Sequence, residues 1–389
     1  MIPARNDSID DILIVDDTPA NLRLLSTMLA EQGYHVRPVL NGALALEAAV
    51  ARPPALILLD IRMPGINGYE VCERLKDDPA TREIPIIFIS AMDAAQDKVR
   101  AFQVGGVDYI TKPFNVEEVL ARVETHISLN KLRKQMLDAN RKMARELVLA
   151  GEIQTSFLPH TMPDVPGWQF SAVLRSAREM SGDFYDLGVL TDGILKILIA
   201  DVVDKGAGAA MFMALSSTLL RTYADAFPFE PDRVLGAVNK RIIKDTGGQQ
   251  FVSVFYGVLD PSSGTLSYCN AGHPPPIFIS SGNSSVVHAL KKTGGVLGID
   301  KHDRWEIDSI TIDTGGLLLL YTDGITEASN DGDEFFGEAA VLESLKRNLD
   351  HPADDVQGAI LADVEQFVGC APQHDDIALV VVKREVALE

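Results

Sequence analysis

A chain of 389 residues is long enough for two or more domains, each with its own buried core. Its formal charge of −20 repels nucleic acid and anionic membranes over most of the surface, and no apolar run reaches the roughly eighteen residues of a membrane span. Three cysteines (Cys72, Cys269 and Cys370) lie far apart without CxxC spacing, which argues against a disulfide scaffold or a zinc site, and residues 1–11 lack the apolar stretch of a signal peptide, so the chain is expected in the cytoplasm.

The first 125 residues alternate strand-like and helix-like patches. Apolar runs at 11–15, 55–59, 85–89 and 107–111 read as strands buried on both faces, and 21–32 reads as a helix stopped by Gly33. Such strands, separated by helices, build a parallel doubly wound sheet whose ligands sit beyond the carboxyl ends of the strands. Asp16 and Asp17, Asp60, Ser90 and Lys112 follow those four ends and are expected to converge in one pocket. Packed carboxylates repel one another and are best explained by a hard divalent cation with oxygen ligands. Asp60 can then act as nucleophile toward a phosphoryl donor, with Lys112 adding a point charge and Ser90 a hydroxyl for the new phosphate.

The motifs ILIVDD, LILLDIRMPGINGYE, FISA and DYITKPF occur in order within residues 9–127, and this segment resembles a bacterial response-regulator receiver domain. The resemblance implies Asp60 as phospho-acceptor, Asp17 as ligand of a Mg2+ with Asp16 supporting, and the Arg62 carbonyl completing that site. It also implies Ser90 and Tyr109 as switch hydroxyl and switch aromatic, Lys112 at the family's lysine position, and a cognate histidine kinase as partner.

Residues 129–157 contain no Pro and one Gly, Gly151. Leu129, Leu132, Met136, Ala139 and Met143 recur in a 3-4-3-4 spacing, and the seam then steps by four to Leu147 before resuming at Ala150 and Ile153, a stutter that locally unwinds a coiled coil. Lys131, Arg133, Lys134, Arg141, Lys142, Arg145 and Glu146 lie between the seam positions and keep the rest of the surface wet. So narrow a stripe is expected to pair with a copy of itself, giving a homodimer; the alternative is an amphipathic helix packed on a neighbouring domain.

Beyond Pro159 the character changes. Runs at 195–200, 251–259, 264–269, 276–279, 317–321 and 378–382 read as strands, 260–264 as a hairpin turn, and 207–226, 231–246, 337–349 and 352–368 as helices, a segregation typical of α+β domains with antiparallel sheets. Asp183, Asp201, Asp323 and the pair Asp375-Asp376 stand at strand ends beside small residues or apolar strands, without matching Lys or Arg, and are expected to share cations. More than one hard metal there would activate water and clamp a phosphate for in-line displacement.

Between residues 152 and 382 the motifs IQTSFLP, SGDFYD, ADVVDKGAGAAMFMA, FVSVFYGVLD, NAGHPPP, YTDGITEA and DDIALVVV resemble the metal-dependent serine/threonine phosphatases of the protein phosphatase 2C (PPM) type, in the stage II sporulation and stress-regulator branch. The likeness implies two Mn2+ or Mg2+ ions, with Asp201 bridging, Asp323 and Asp375 on one metal, and Asp183 with the Val202 carbonyl on the other. Arg175 and Arg178 are candidates for a phosphate-gripping arginine, and His273 is expected to order a loop rather than to catalyse.

The expected architecture is therefore multi-domain: a flavodoxin-like α/β doubly wound receiver over residues 1–127, a coiled-coil dimerisation and signalling helix over 128–158, and an α+β PPM-type phosphatase, an antiparallel β-sandwich flanked by helices, over 159–389. The expected function is a two-component response regulator whose phosphorylated receiver controls a metal-dependent protein serine/threonine phosphatase, acting by resemblance on a phosphorylated anti-sigma-factor antagonist in a partner-switching pathway. Two alternatives stand beside it: a non-catalytic adaptor that binds a sigma factor or its regulator under receiver control, and a constitutive phosphatase whose receiver only docks or dimerises. No basic helix-turn-helix pattern follows the receiver, so neither nucleic acid nor membrane is expected as a partner.

Overall fold

In the computed structural model, which describes residues 10–91, 95–281 and 287–386, five parallel strands form the amino-terminal sheet. In chain order the elements are β1 (Asp11–Val15), α1 (Pro19–Glu31), β2 (His35–Val39), α2 (Gly42–Ala51), β3 (Leu56–Asp60), α3 (Gly68–Asp77), β4 (Ile86–Ser90), α4 (Ala95–Gln103), β5 (Asp108–Thr111) and α5 (Val116–Thr155). The strand order β2-β1-β3-β4-β5 is the doubly wound arrangement expected. Strand alternation divides the apolar runs between two cores: Leu13, Val15, Ile57, Leu59 and Phe88 face one side, and Ile12, Ile14, Leu58, Ile87 and Ile89 the other. β2 was not among the expected strands. Its sequence HVRPV is half-exposed and carries Pro38, which a sheet tolerates at an edge, so it lacks the signature of a buried strand.

The long helix also departs from expectation. It begins at Val116 rather than near 129, because it continues the last helix of the receiver without a break. Val119, Val123 and Ile127 pack in the receiver core, whereas Leu129, Leu132, Met136 and Met143 are between 56% and 67% exposed, leaving an apolar stripe uncovered along its middle. The chain divides into two compact units inside this helix, Met1–Lys142 and Met143–Glu389.

The second unit contains β6 (Trp168–Arg175), β7 (Phe184–Val189), β8 (Leu195–Val202), α6 (Ala207–Ala226), α7 (Pro231–Thr246), β9 (Val252–Asp260), β10 (Thr265–Ala271), β11 (Ile277–Ile279), β12 (Val287–Ala289), β13 (Asp308–Thr311), β14 (Leu317–Tyr321), α8 (Asp323–Thr326), α9 (Gly337–Arg347), α10 (Ala353–Val368) and β15 (Ile377–Arg384). They form two five-stranded antiparallel sheets, β13-β10-β9-β8-β7 and β12-β11-β14-β15-β6. In β14 and β15, Leu318, Leu320, Val380 and Val382 join the core between the sheets, while Leu317, Leu319, Leu379 and Val381 pack under α9 and α10. Helices α6 and α7 cover the outer face of the first sheet, giving a helix–sheet–sheet–helix sandwich. β6, β7, β12, β13 and α8 were not anticipated. In β7 the obstacle is Asp186, which is buried but neutralised by Lys196 at 2.5 Å and Arg221 at 2.9 Å, so an acid sits where the pattern demands an apolar residue. Among the described residues no helix is long and apolar enough to cross a membrane.

Candidate active sites

In the first unit the carboxyl ends of β1, β3, β4 and β5 carry the chemistry. Asp16, just past β1, is fully buried and accepts hydrogen bonds from the Thr18 N–H at 2.9 Å and from Asn21 Nδ2 at 3.0 and 3.1 Å. Asp17 is exposed, and Asp60 closes β3 at 4% exposure. Carboxylate oxygens of Asp16, Asp17 and Asp60 lie within 4.8 Å of one another. Lys112 Nζ reaches Asp16 at 2.8 Å and Asp60 at 2.9 Å. Burial disfavours the Lys112 ammonium, but its bonds to the two carboxylates outweigh that and hold its pKa above the ordinary lysine value. Burial raises the Asp60 carboxyl despite Lys112 and the Arg62 N–H that bonds it. Three crowded acids against one ammonium, all with oxygen donors, suit a hard divalent cation.

Asp60, Arg62 and Ser90 line one cleft of about 520 Å³, so the structure brings them together. Tyr109 stands on the neighbouring strand in register with Phe88, its ring edge-on to Phe102 at 6.2 Å and 5.6 Å from the Arg122 guanidinium. Met63, Asn67 and Tyr69 also line the cleft and escaped the sequence reading, which followed charged and hydroxyl residues at strand ends. Asn67 carries a recognisable signal of another kind, since its side chain caps α3 by accepting the Glu70 N–H at 3.0 Å.

In the second unit the acids come from four elements. Asp183 precedes β7, Asp201 is the penultimate residue of β8 and pairs with Ser253 of β9, Asp323 opens α8 directly after β14, and Asp375 precedes β15. Asp183 is 3% exposed, and its Oδ2 has no hydrogen-bond partner among the described residues. Burial, together with the charge of Asp201, pushes the Asp183 carboxyl well up. Asp201 is raised to about 7 by burial and by the charge of Asp323, and Asp323 is itself raised by burial and by Glu327 and Asp375. A Cβ placed on Gly182 would lie 3.1 Å from the Val202 carbonyl oxygen, so that carbonyl faces the residue next to Asp183. An orphaned buried carboxylate oxygen among mutually repelling acids is the donor chemistry that suits an all-oxygen cation site.

One expectation needs correcting. Asp375 does have a basic partner: Lys205 Nζ lies 2.9 Å from its carboxylate and also donates to the His374 carbonyl at 2.9 Å. Lys205 sits in the exposed loop after β8, where Asp204 adopts φ +90°, a strained value that favours glycine. Among the described residues no three acids of this unit approach one another as closely as those of the receiver.

The supporting groups were less visible. Asp376 accepts the Ala177 N–H at 2.8 Å and the Gly182 N–H at 2.7 Å, fixing both ends of the loop that delivers Asp183. Gly324 permits the close approach of β15: a Cβ there would sit 1.9 Å from the Asp376 carbonyl oxygen. His273 is wholly buried, accepts from Ser253 Oγ at 2.9 Å on Nδ1 and donates from Nε2 to the Tyr321 carbonyl at 3.1 Å. Burial holds it neutral, with its pKa down to about 3. It therefore ties the strand opposite Asp201 to the strand that ends before Asp323. Of the two arginine candidates, Arg175 is engaged by Glu365, while Arg178 is exposed and has no ion-pair partner among the described residues.

Two results follow from this geometry. Asp376→Ala leaves two backbone donors without an acceptor, at a cost of about 1–3 kcal/mol each, and is expected to lower the urea midpoint markedly, with Asp376→Asn recovering part of the loss. In metal-free protein the Asp201 carboxyl has a folded pKa of about 7 against an ordinary 3.8. The folded state thus holds this proton more tightly, so its stabilising contribution is full below about pH 4 and is lost as pH climbs through about 7. The melting temperature of metal-free protein is expected to fall across that window, and added Mn2+ to raise it more above about pH 7 than near pH 5.

Comparison with known proteins agrees with this layout. A family model described as stage II sporulation protein E (SpoIIE) matches residues 191–385, half of the chain, and includes Asp201, Asp323 and Asp375 but not Asp183. A second, described as response regulator receiver domain, matches residues 12–124. The chain is 36% identical over 267 residues to Protein IcfG of Synechocystis sp., a match covering 61% of this chain and 41% of IcfG, so it spans less than half of that relative. It is 25% identical over 247 residues to phosphoserine phosphatase RsbU of Bacillus subtilis, covering 62% of this chain and 70% of RsbU. The SiaA-PP2C domain of Pseudomonas aeruginosa, at 20% identity, superposes with a TM-score of 0.56 over 63% of this chain and 98% of that domain, a likeness of fold.

Proposed function

The chain belongs to the stage II sporulation protein E (SpoIIE) family and carries a receiver domain ahead of that region, and on this premise we propose that it is a two-component response regulator whose receiver governs a metal-dependent protein serine/threonine phosphatase. The observation that carries the reading is the convergence of Asp183, Asp201 and Asp323, each pushed up by burial and by its neighbours' charge, with an orphaned buried oxygen on Asp183.

In this reading Asp183, Asp201, Asp323, Asp375 and the Val202 carbonyl hold two Mn2+ or Mg2+ ions, and Asp16, Asp17, Asp60 and the Arg62 carbonyl hold a Mg2+ in the receiver. Bound in the phosphatase unit, such cations would activate water near neutral pH and offset charge on phosphoryl oxygens. The chain's own contribution there is positional: Asp376 and His273 fix the elements that deliver the acids, and Arg178 offers its guanidinium to the ester's phosphate. Arg178→Ala is accordingly expected to raise KM for a phosphoserine peptide about tenfold with little change in kcat, as loss of one charge-assisted bond predicts.

In the receiver, an Asp60 carboxylate oxygen attacks the phosphorus of a phosphohistidine donor from a cognate histidine kinase; the new O–P bond forms as the N–P bond breaks, and the imidazole leaves with the pair. Lys112 stabilises the phosphoryl charge and Ser90 bonds a phosphoryl oxygen, with Tyr109 following. These events bias a two-state equilibrium that α5 carries onward, from Val119 and Val123 in the receiver core to Gln154, whose amide bonds the backbone at Ser181, two residues before Asp183. The exposed seam from Leu129 to Met143 pairs with a second copy of the chain. Residues 1–127, 128–158 and 159–389 then serve as receiver, signalling helix and phosphatase. The likeness to RsbU, a phosphoserine phosphatase, supports a phosphoserine substrate, and the substrate proposed is a phosphorylated anti-sigma-factor antagonist, as the motif resemblance implies.

The test is Mn2+-dependent hydrolysis of a phosphoserine peptide by the full chain, abolished by a chelator. A folded, Mn2+-supplied protein that releases no phosphate contradicts the reading and favours the adaptor alternative.

A further inference from the structure

The chain carries a formal charge of −20, yet one cleft of its second unit is lined by twice as many cations as acids. The cleft, about 1070 Å³ in volume, lies between α7 and the loop that follows Gly298. Arg233, Lys240, Arg241 and Lys244 project from α7, where Gly236 and Ala237 keep the floor open, and Lys301 and Arg304 form the opposite wall. Against these six cations stand three acids, Asp232, Asp303 and Glu306. Arg233 is held by Glu230 and Arg241 by Asp245, but Lys240, Lys244, Lys301 and Arg304 are exposed and have no ion-pair partner among the described residues.

The cleft is built rather than incidental. Asn239, 1% exposed on the inner side of α7, accepts the Gly298 N–H at 2.7 Å and donates to the Asp300 carbonyl at 2.8 Å, pinning the base of the loop. Trp305 is buried and donates to the Gly295 carbonyl at 2.8 Å, pinning the far end. The cationic wall is thus fixed before any ligand arrives, which lowers the ordering cost of binding. Its position is also telling. Leu297 pairs with Val252, and Val252 pairs with Val202, the neighbour of Asp201, so the loop departs two strand spacings, about 10 Å, from the strand that carries Asp201.

We propose that this cleft docks an acidic stretch of the protein substrate, flanking the phosphoserine that enters the aspartate site. The proposal rests on the phosphatase reading above. A phosphorylated acidic partner is repelled by most of this surface, and a local positive wall in the same unit as the aspartates supplies both attraction and register.

The experiment compares two phosphoserine peptides, one flanked by Asp and Glu and one by Ser and Gly, as substrates of full-length protein with Mn2+ at low ionic strength. The expected kcat/KM favours the acidic peptide about tenfold, a preference that fades with added salt. In the Lys240→Glu, Lys244→Glu double variant the ratio is expected to fall to about one, and a lysine-flanked peptide to become the better substrate. Because each ratio is taken within one protein, a general loss of activity does not mimic the result. A wild-type protein indifferent to the flanks, or a variant that keeps the acidic preference, overturns the proposal. If no peptide is hydrolysed, the phosphatase reading fails, and fluorescence anisotropy of the labelled acidic peptide decides the cleft separately: binding that the double variant loses upholds it, and equal or absent binding overturns it.

Discussion

Asp201→Asn is expected to lower phosphoserine turnover by about 10³-fold or more while raising the melting temperature of the metal-free protein. The two effects share one cause. Asp201 lies between Asp183 and Asp323 in charge, its carboxyl lifted to about 7 by burial and by Asp323, so at neutral pH its ionisation opposes folding in the absence of a cation. The amide keeps the shape and removes the charge. Relief of repulsion stabilises the empty fold, while loss of an anionic oxygen donor weakens cation binding, so the thermal shift caused by Mn2+ shrinks. Calorimetry with and without Mn2+, beside a turnover assay, checks both parts. A variant that retains more than about a tenth of wild-type turnover would place the reacting centre elsewhere.

The second large effect is expected at Gly151, well before the first of the site's four aspartates in sequence. In α5 a Cβ at this position would lie 2.0 Å from the Glu179 carbonyl oxygen, so the last turns of the helix must back away from the loop that ends at Asp183. Gly151→Ala strains the Gln154–Ser181 pairing, in which the buried amide accepts the Ser181 N–H at 2.9 Å and donates to its carbonyl. Overpacking of this kind costs about 1–3 kcal/mol, and the expected signature is lower Mn2+ affinity together with loss of response to the receiver. Gly358→Ala is the control: it is also helical, nothing lies within 4 Å of its added Cβ, and better helix propensity is expected to stabilise by about 0.5–1 kcal/mol. Equal behaviour of the two variants would remove α5 from the control of the site.

What the sequence made legible follows from the physics of each element. Strands buried on both faces, such as LILLD and LLLLY, announce themselves by continuous apolar runs, and the acids just past them were found with them. Edge and ion-paired strands were hidden: HVRPV reads as a loop because half of it meets solvent, and FYDLGV because Asp186 draws Lys196 and Arg221 from other elements. The start of α5 was missed for a different reason. The receiver's last helix has the width of a core-facing stripe and the continuation has the narrow seam of a coiled coil, so one continuous helix looks like two. At the candidate phosphatase site, Asp183, Asp201, Asp323 and the pair Asp375-Asp376 stood out as acids near glycine and apolar strands, and His273 as a residue that orders a loop, but their supporting contacts reach far along the chain, with sequence separations of 199 and 194 for Asp376, 169 for Lys205 and 48 for His273. Such contacts exist once the sheets have paired, and local pattern holds no trace of them.

The most direct test of the account loads beryllofluoride, a phosphoryl analogue, at Asp60 and measures Mn2+-dependent turnover of a phosphoserine substrate by the full chain, with an Asp60→Ala protein as control. The account predicts that turnover requires metal and changes several-fold on loading in wild type but not in the control. Metal-dependent turnover that is identical with and without beryllofluoride would contradict it, leaving the receiver a docking module on a constitutive phosphatase.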